Sequence, residues 1–210
     1  MAAASTGKSA KKKKKHSKKD TANEWIKSIL IALLLALLTR ATVVQAFRIP
    51  TGSMEQTLLE GDFLLANRFL YGSQIPFTDV RLPAVRDPKR GDIIIFEHPS
   101  EGKDFIKRCV ALPGDRVEIR NDVLYVNGEA VDEPYKKLST FGGSLANYGP
   151  VIVPEDHLFM LGDNRHNSYD SRSWGPLDEK YIKGKAMVIY FSWNGEAHFP
   201  RFTRMGKIIR

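Results

Sequence analysis

A serine that follows the only long apolar run of this 210-residue chain is the first candidate for chemistry. Ser53 lies in the turn sequence Pro-Thr-Gly-Ser-Met, residues 50–54. Gly52 permits a sharp turn or a close approach to a ligand, and Pro50 restricts the chain that enters the turn. The segment can therefore present the Ser53 hydroxyl outward, although a polar turn after a membrane anchor has the same pattern.

A lysine in an apolar strand is the second candidate. Alternate side chains of a strand share a face, so Lys107 is predicted to lie between Phe105 and Cys109 on one face. Loss of water lowers the pKa of a lysine. For Lys107 to be largely neutral near pH 7 to 8, its pKa must fall by about 3 units, or roughly 4 kcal/mol. A lysine whose stem packs while its amine reaches water fits the same pattern.

A serine nucleophile needs a base, and two schemes compete for that role. A Ser-His-Asp scheme can draw on four histidines after the apolar run, none of them in a recognisable context: His98, His157, His166 and His198. A Ser–Lys dyad needs only one exposed serine and one desolvated lysine. Ser53 and Lys107 fit that description better than any other pair in the chain.

The basic charge of the chain is confined to its N-terminal tail. Residues 1–20 contain eight lysines and one aspartate, and so account for nearly all of the net charge of +8. A folded part this close to neutral argues against nucleic-acid binding. Residues 1–23 are predicted to form a disordered, lysine-rich cytoplasmic tail.

Residues 24–47 are predicted to form a transmembrane helix. The segment from Trp25 to Phe47 is long enough to span about 30 Å of hydrocarbon at 1.5 Å per residue. The positive-inside rule places the lysines in the cytoplasm and the chain after Phe47 outside. A cleaved signal peptide is the alternative interpretation of the same pattern.

Residues 48–210 are predicted to form an extracytoplasmic β domain. Short β-rich runs alternate with turn signals such as Asn121-Asp122 and Asn127-Gly128, which predict a hairpin over residues 116–126. Cys109 is the only cysteine, so no intrachain disulfide can form. Residues 162–175 are predicted to be a polar surface loop, which Trp174 holds in a fixed shape.

Three segments of the chain resemble, in order, the signature motifs of bacterial type I signal peptidases. They are Ile-Pro-Thr-Gly-Ser-Met (49–54), Asp-Phe-Ile-Lys-Arg-Cys-Val-Ala-Leu-Pro-Gly-Asp (104–115) and Gly-Asp-Asn-Arg-His-Asn-Ser-Tyr-Asp-Ser-Arg (162–172). The resemblance runs from the apolar segment to about Trp193.

This resemblance implies a mostly β fold: a membrane-anchored antiparallel β domain with a small inserted β subdomain (113–161) and one N-terminal transmembrane helix. The implied activity is that of a serine endopeptidase of the inner membrane, which removes signal peptides from exported preproteins after small residues in an Ala-x-Ala pattern. The implied partners are preproteins, bound as an extended strand, and the lipid bilayer. No metal, organic cofactor or nucleic acid is implied.

The resemblance also implies roles for individual residues. Ser53 would be the nucleophile and Lys107 the general base. The Thr51 hydroxyl and the Ser53 N–H would form the oxyanion hole, and Ser168 would hydrogen-bond the Lys107 amine. Supporting residues would be Asp163 and an ion pair of Asp170 with Arg172. Substrate-binding residues would be Phe47, Ile49, Met54, Leu58, Asp104, Phe105 and Ile106. His166 stands where many members have aspartate and is expected to matter little.

Three alternatives remain at this point. The chain could be a Ser–Lys protease that cleaves itself or a regulator, as LexA-like repressors do, although no DNA-binding helix pair is present. It could be an anchored β domain that only binds exported proteins. It could also be an organellar processing peptidase of the same type.

Overall fold

A computed structural model describes residues 23–33, 36, 44–72, 83–138 and 146–210. The chain divides into two units, residues 1–38 and 39–210. In the first unit, residues 23–33 and 36 are helical. No helix among the described residues is long and apolar enough to cross a membrane. The predicted tail lies outside the described residues except for Asn23, as do residues 34–35 and 37–43 of the predicted span.

The predicted helix is wrong at its C-terminal end, because Val44–Arg48 forms strand β1. β1 pairs with the antiparallel strand β2 (Asp62–Asn67) over its whole length, from Val44 opposite Asn67 to Arg48 opposite Phe63. The neighbouring strand satisfies the backbone groups of this segment, so tertiary pairing overrides the apolar pattern that favoured a helix.

The described part of the second unit contains ten further strands and one short α-helix. The strands are β3 (Ile93–Glu97), β4 (Asp104–Ala111), β5 (Arg116–Arg120), β6 (Val123–Val126), β7 (Glu129–Ala130), β8 (Tyr148–Ile152), β9 (His157–Leu161), β10 (Leu177–Asp178), β11 (Ile182–Asn194) and β12 (Phe199–Pro200). The helix α1 (Ser171–Trp174) is a single turn. The prediction of a mostly β domain is confirmed.

The larger sheet is antiparallel and curled, with strand order β1-β2-β11-β3-β4-β9-β10 and β12 paired to β11. β11 pairs with both β2 and β3, and its register shifts at three points. Such irregularities bend a strand and increase its twist, which allows the sheet to curl.

Both faces of this sheet are buried at its centre. On one face, Ile93 and Ile95 pack with Ile106 of β4 in the first core cluster. On the other face, Ile94 and Phe96 pack with Cys109, and Phe105 lies against the same cluster. The predicted alternation along β4 is therefore confirmed, and Lys107 belongs to the Phe105 face.

The smaller sheet has strand order β7-β6-β5-β8 and its own core. The predicted hairpin is present, and Asn121 and Asp122 both have positive φ at its turn, 49° and 65°. These strands span residues 116–152, inside the predicted insert of residues 113–161. β9 belongs to the larger sheet, so the insert ends earlier than predicted.

Candidate functional site

The two residues that the sequence singled out for chemistry lie side by side. Lys107 Nζ is 2.8 Å from Ser53 Oγ and donates a second hydrogen bond to the Ile106 carbonyl at 3.0 Å. Lys107 is 4% exposed and Ser53 is 8% exposed. A serine hydroxyl and a desolvated amine in hydrogen-bond contact have the geometry of a nucleophile and its base.

The surroundings of Lys107 favour its neutral form. Burial removes the water that stabilises the ammonium, and this lowers the pKa of Lys107 from 10.5 to about 8. The carboxylates of Asp170 and Asp163 act in the opposite direction and keep the pKa from falling further. The Phe105 ring, whose centroid is 5.4 Å from Nζ, forms part of the apolar wall.

The nucleophile is held by a short 3-10 turn, Gly52–Met54. Met54 is fully buried and anchors the turn in the core. The Leu58 N–H donates to the Met54 carbonyl at 2.8 Å and continues the turn. Thr51, which precedes the turn in extended conformation, places Oγ1 3.5 Å from Ser53 Oγ. The predicted oxyanion-hole residue is therefore next to the nucleophile.

The polar segment of residues 162–175 was predicted to lie at the surface, and this was wrong for much of it. Among its residues, Asp163, Asn164, Arg165, Asp170 and Arg172 are at most 7% exposed. Their side chains are hydrogen-bonded to one another, to backbone or to other strands, which offsets the cost of burial. The prediction of a packed loop with a fixed shape is confirmed.

Asn164 is a site residue to which sequence reasoning assigned no role. Its backbone N–H donates to the Ser53 carbonyl at 3.1 Å, and its Nδ2 donates to the Gly52 carbonyl at 3.1 Å. These contacts fix the nucleophile turn to the loop. The position lies inside the third motif, but its residue type alone does not indicate which backbone groups it reaches.

Two buried ion pairs support the site. Arg172 Nε lies 2.8 Å from Asp170 Oδ1, so the expected ion pair is present, and Asp170 also accepts from the Gly162 N–H at 3.0 Å. Asp163 pairs with Arg108, a residue that the sequence did not mark as special. The Arg108 guanidinium binds both Asp163 oxygens, at 2.8 and 2.7 Å.

The predicted hydrogen bond between Ser168 and Lys107 is not formed. The Ser168 hydroxyl is buried and has no hydrogen-bond partner, because Lys107 Nζ is directed to Ser53 and Ile106. Ser168 instead packs against Gly162, where a Cβ would lie 2.2 Å from Ser168 Oγ and 2.6 Å from the Ser53 carbonyl oxygen. Gly162 thus permits the loop to approach the nucleophile closely.

For the peptide cleavage that the resemblance implies, Gly162→Ala is expected to lower kcat by about tenfold or more, because the new methyl group must displace Ser168 or the Ser53 backbone. The matched control is Gly195→Ala, since a Cβ there meets nothing within 4 Å and the φ of Gly195 is not in the positive range. Steady-state cleavage of an Ala-x-Ala peptide measures both. Equal kcat values for the two variants would contradict the close-approach argument.

The histidines do not form a competing base. The ring nitrogens of three histidines contact other groups: His157 the Glu155 carbonyl, His166 the Asp122 carboxylate and His198 the Glu196 carbonyl. His98 is buried against Phe105, and its two ring nitrogens have no hydrogen-bond partner. Among the described residues, Lys107 is the basic side chain that contacts Ser53 Oγ.

A cleft of about 400 Å³ opens beside the dyad. Its lining residues are Pro50, Thr51, Gly52, Ser53, Glu101, Lys103, Asp104, Phe105, Ile106, Lys107, Asn167 and Tyr169. Three of the predicted substrate-binding residues, Asp104, Phe105 and Ile106, are among them.

The other four predicted substrate-binding residues do not line this cleft. Ile49, Met54 and Leu58 are at most 2% exposed and belong to the core under the first face of the sheet. Phe47 is half-buried and packs against the same core. These four residues are apolar because they form or cover this core. The core also contains Ile106, so the cleft is shallow beside that residue.

The strand β4 offers a free edge along the cleft. The Cys109 N–H donates to the Asp92 carbonyl and its C=O accepts from the Gly91 N–H, so its backbone groups face β3. Ile106 lies three residues before Cys109. Because the direction of the backbone groups alternates along a strand, those of Ile106 point to the opposite side, away from β3. β9 pairs with β4 only from Arg108 to Ala111, so within the described chain no strand covers that side of Ile106.

Comparisons with known proteins point to one family. A family model described as signal peptidase, peptidase S26, matches residues 22–193. The signal peptidase I of Pseudomonas fluorescens is 37% identical, over 88% of this chain and 78% of its own length. That of Bacillus licheniformis is 38% identical, over 86% and 95%. A solved signal peptidase I structure from Enterococcus faecalis is 34% identical, covers 49% of this chain and 98% of its own, and has a TM-score of 0.43.

Proposed function

Since the chain belongs to the signal peptidase I family of serine endopeptidases, which remove signal peptides from preproteins, we propose that Ser53 is its nucleophile and Lys107 its general base. The observation that carries this assignment is the 2.8 Å contact between Lys107 Nζ and Ser53 Oγ in a buried setting. The lowered pKa of Lys107, about 8, supports it because a base must be neutral to accept a proton.

The reaction proceeds in two halves. Neutral Lys107 accepts the Ser53 hydroxyl proton as Oγ bonds to the carbonyl carbon of the last signal-peptide residue. The Lys107 ammonium then gives this proton to the departing amine of the mature protein, and the C–N bond breaks. In the second half, Lys107 accepts a proton from water, the resulting hydroxide attacks the acyl ester, and the proton returns to Ser53 Oγ.

Charge that develops on the substrate oxygen needs fixed donors. Thr51 Oγ1, 3.5 Å from Ser53 Oγ, and the Ser53 backbone N–H are the proposed oxyanion hole. Both groups belong to the chain segment that the buried Met54 anchors, so little reorganisation is needed when the charge forms. Asn164 supports the same segment through the Gly52 and Ser53 carbonyls.

The substrate is proposed to bind as an extended strand at the free edge of β4. The backbone groups of Ile106 and Asp104 would pair with it, and alternate substrate side chains would point to opposite faces. On the Ile106 face, the core already holds Met54 and Leu58, so only a shallow space remains. This supports a preference for small residues at the cleavage site, as in Ala-x-Ala.

The chain is further proposed to be a single-pass protein of the inner membrane. The sequence supports this proposal, because the lysine-rich residues 1–20 precede the long apolar run and such residues stay on the cytoplasmic side. The tail would be cytoplasmic, residues 48–210 extracytoplasmic, and the bilayer a partner. Protease treatment of intact spheroplasts would test this, since the β domain should be degraded and an N-terminal tag protected; the reverse pattern would refute the orientation.

The test of the catalytic assignment is cleavage of a preprotein with an Ala-x-Ala site by wild type and Ser53→Ala. Wild type should release the mature protein, whereas Ser53→Ala should bind the preprotein without cleaving it. A Ser192→Ala variant, on β11 and remote in sequence from the three motifs, is the matched serine control. If wild type binds the preprotein without cleaving it, the catalytic assignment is wrong and the domain only binds exported proteins.

The pH profile of wild type should show an acidic limb near pH 8. The pKa of Lys107 is lowered to about 8 by burial, so the fraction of neutral base rises as the pH passes that value. We expect kcat/KM to rise about tenfold per pH unit below the limb and to level off above it. A limb near 6.5, the ordinary pKa of histidine, would point to a histidine base instead.

A further inference from the structure

Three aromatic rings form a cluster at one side of the cleft. The His98 ring packs against two cleft-lining residues, with its centroid 4.7 Å from that of Phe105 and 5.7 Å from that of Tyr169. The His98 ring is tilted by 38° and 35° to these two rings, and Phe105 and Tyr169 meet edge to face, at 6.4 Å and 72°. Trp174 meets His98 edge-on, at 5.4 Å and 89°. This aromatic cluster is thus held from behind by Trp174, which follows the third motif.

The aromatic cluster is open on the side of the cleft, unlike a closed protein core. Tyr169 is 50% exposed and lines the cleft, and Phe105, which is partly buried, lines it as well. His98 is 2% exposed and supports both rings from inside the protein. Phe105 and Tyr169 therefore present aromatic surface that a bound aromatic side chain can cover.

The direction of the substrate side chains indicates which one reaches the aromatic cluster. Phe105 and Ile106 point to opposite faces of β4. In a strand paired to β4, the last signal-peptide residue and the residue two before it share one face. These two small residues are proposed to face Ile106. The residue between them, the x of Ala-x-Ala, then faces Phe105 and Tyr169.

We propose that Phe105 and Tyr169, supported by His98, form a subsite for an aromatic side chain at the middle position of the Ala-x-Ala sequence. This inference rests on the proposed function, because it uses the strand pairing that the cleavage site requires. Paired aromatic rings gain attraction beyond their buried area, which corresponds to about a three- to tenfold preference over an aliphatic side chain of similar size.

The test compares three peptides that differ only at x: phenylalanine, leucine and alanine. Wild type should cleave the phenylalanine peptide with a kcat/KM about three- to tenfold above that of the leucine peptide. Tyr169→Ala should reduce this ratio to about one, and Tyr169→Phe should retain it. The matched control is Tyr190→Ala on β11, a tyrosine that is 45% exposed and does not line the cleft, for which rate and ratio should stay as in wild type.

Equal values for phenylalanine and leucine in wild type, or a preference that survives Tyr169→Ala, would overturn the subsite. Dissociation constants of the same peptides on Ser53→Ala report binding without chemistry. If wild type cleaves none of the peptides but Ser53→Ala still binds the phenylalanine peptide more tightly, the catalytic proposal fails and the subsite stands. Equal binding of all three peptides overturns the subsite whatever the cleavage result.

Discussion

Lys107→Met is expected to abolish cleavage and at the same time to stabilise the domain at neutral pH. Methionine keeps the length and apolar stem of lysine but cannot accept a proton, so kcat/KM should fall by about 10³-fold or more. The stability gain follows from the shift of the lysine pKa from 10.5 to about 8 on folding. At 1.36 kcal/mol per unit, this burial costs the wild type roughly 3 kcal/mol at pH 7.

The sign of the pH dependence makes this expectation specific. Between pH 8 and 10.5 the unfolded wild type holds the Lys107 proton and the native state does not, so wild-type stability rises with pH across that window. Lys107→Met lacks this rise. Its advantage in the free energy of unfolding should be largest below pH 8 and should shrink towards pH 10.5.

Urea unfolding at pH 7 and pH 10, together with peptide cleavage, measures both effects. The matched control is Lys207→Met, because Lys207 is an exposed lysine. The activity and the stability of this variant should be close to those of wild type. Retained activity in Lys107→Met would remove Lys107 from the role of base. A loss of stability at pH 7 would contradict the burial penalty.

Asp163→Asn should have the largest effect on stability. The Arg108 and Asp163 side chains are 3% and 1% exposed, and their pairing is bidentate. Replacing the carboxylate by an amide of the same shape leaves the Arg108 charge buried without its counter-ion. Breaking a buried pair in this way typically costs about 3–5 kcal/mol. For a domain of this size, we expect the Tm to fall by about 10 °C.

The same variant should move the acidic limb of the pH profile to lower pH. The negative charge of Asp163 raises the pKa of Lys107, so its removal makes the ammonium less favourable and lowers that pKa. Calorimetry and the pH dependence of kcat/KM measure the two effects. A limb that moved to higher pH would contradict the electrostatic argument.

The control for Asp163→Asn is a surface ion pair. Glu118→Gln removes the partner of Arg116, whose side chain is 47% exposed, at an N–O distance of 3.2 Å. Water screens such a pair, so we expect Glu118→Gln to lower the free energy of unfolding by less than about 1 kcal/mol. A comparable loss of Tm in both variants would mean that burial does not determine the effect.

Local sequence determined the parts of this fold that depend on neighbours in the chain. The hairpin between β5 and β6 follows from Asn121 and Asp122, residues that tolerate positive φ. The period of two in residues 104–111 placed Lys107 on the Phe105 face, which the core clusters confirm. The three motifs in order identified the family, because each combines residue types that a structural turn or strand does not need.

Contacts between distant segments decided what the sequence left open. Val44–Arg48 is a strand and not the end of a helix because β2 lies beside it. The acidic side chains of the loop of residues 162–172, Asp163 and Asp170, are buried despite their polarity because Arg108 and backbone groups satisfy these carboxylates. Burial of a polar residue depends on partners far away in the chain, and no local pattern specifies them.

The local order of residues in this chain thus determined the candidate nucleophile, the candidate base and the β architecture. Only the tertiary structure decided that Lys107 Nζ meets Ser53 Oγ and leaves the Ser168 hydroxyl without a partner. It also decided that Met54 and Leu58 fill the core instead of lining the cleft. The physical reason is that the chemistry of a side chain is a property of the residue itself. Its burial and its hydrogen-bond partners depend on which distant residues pack against it in the folded protein.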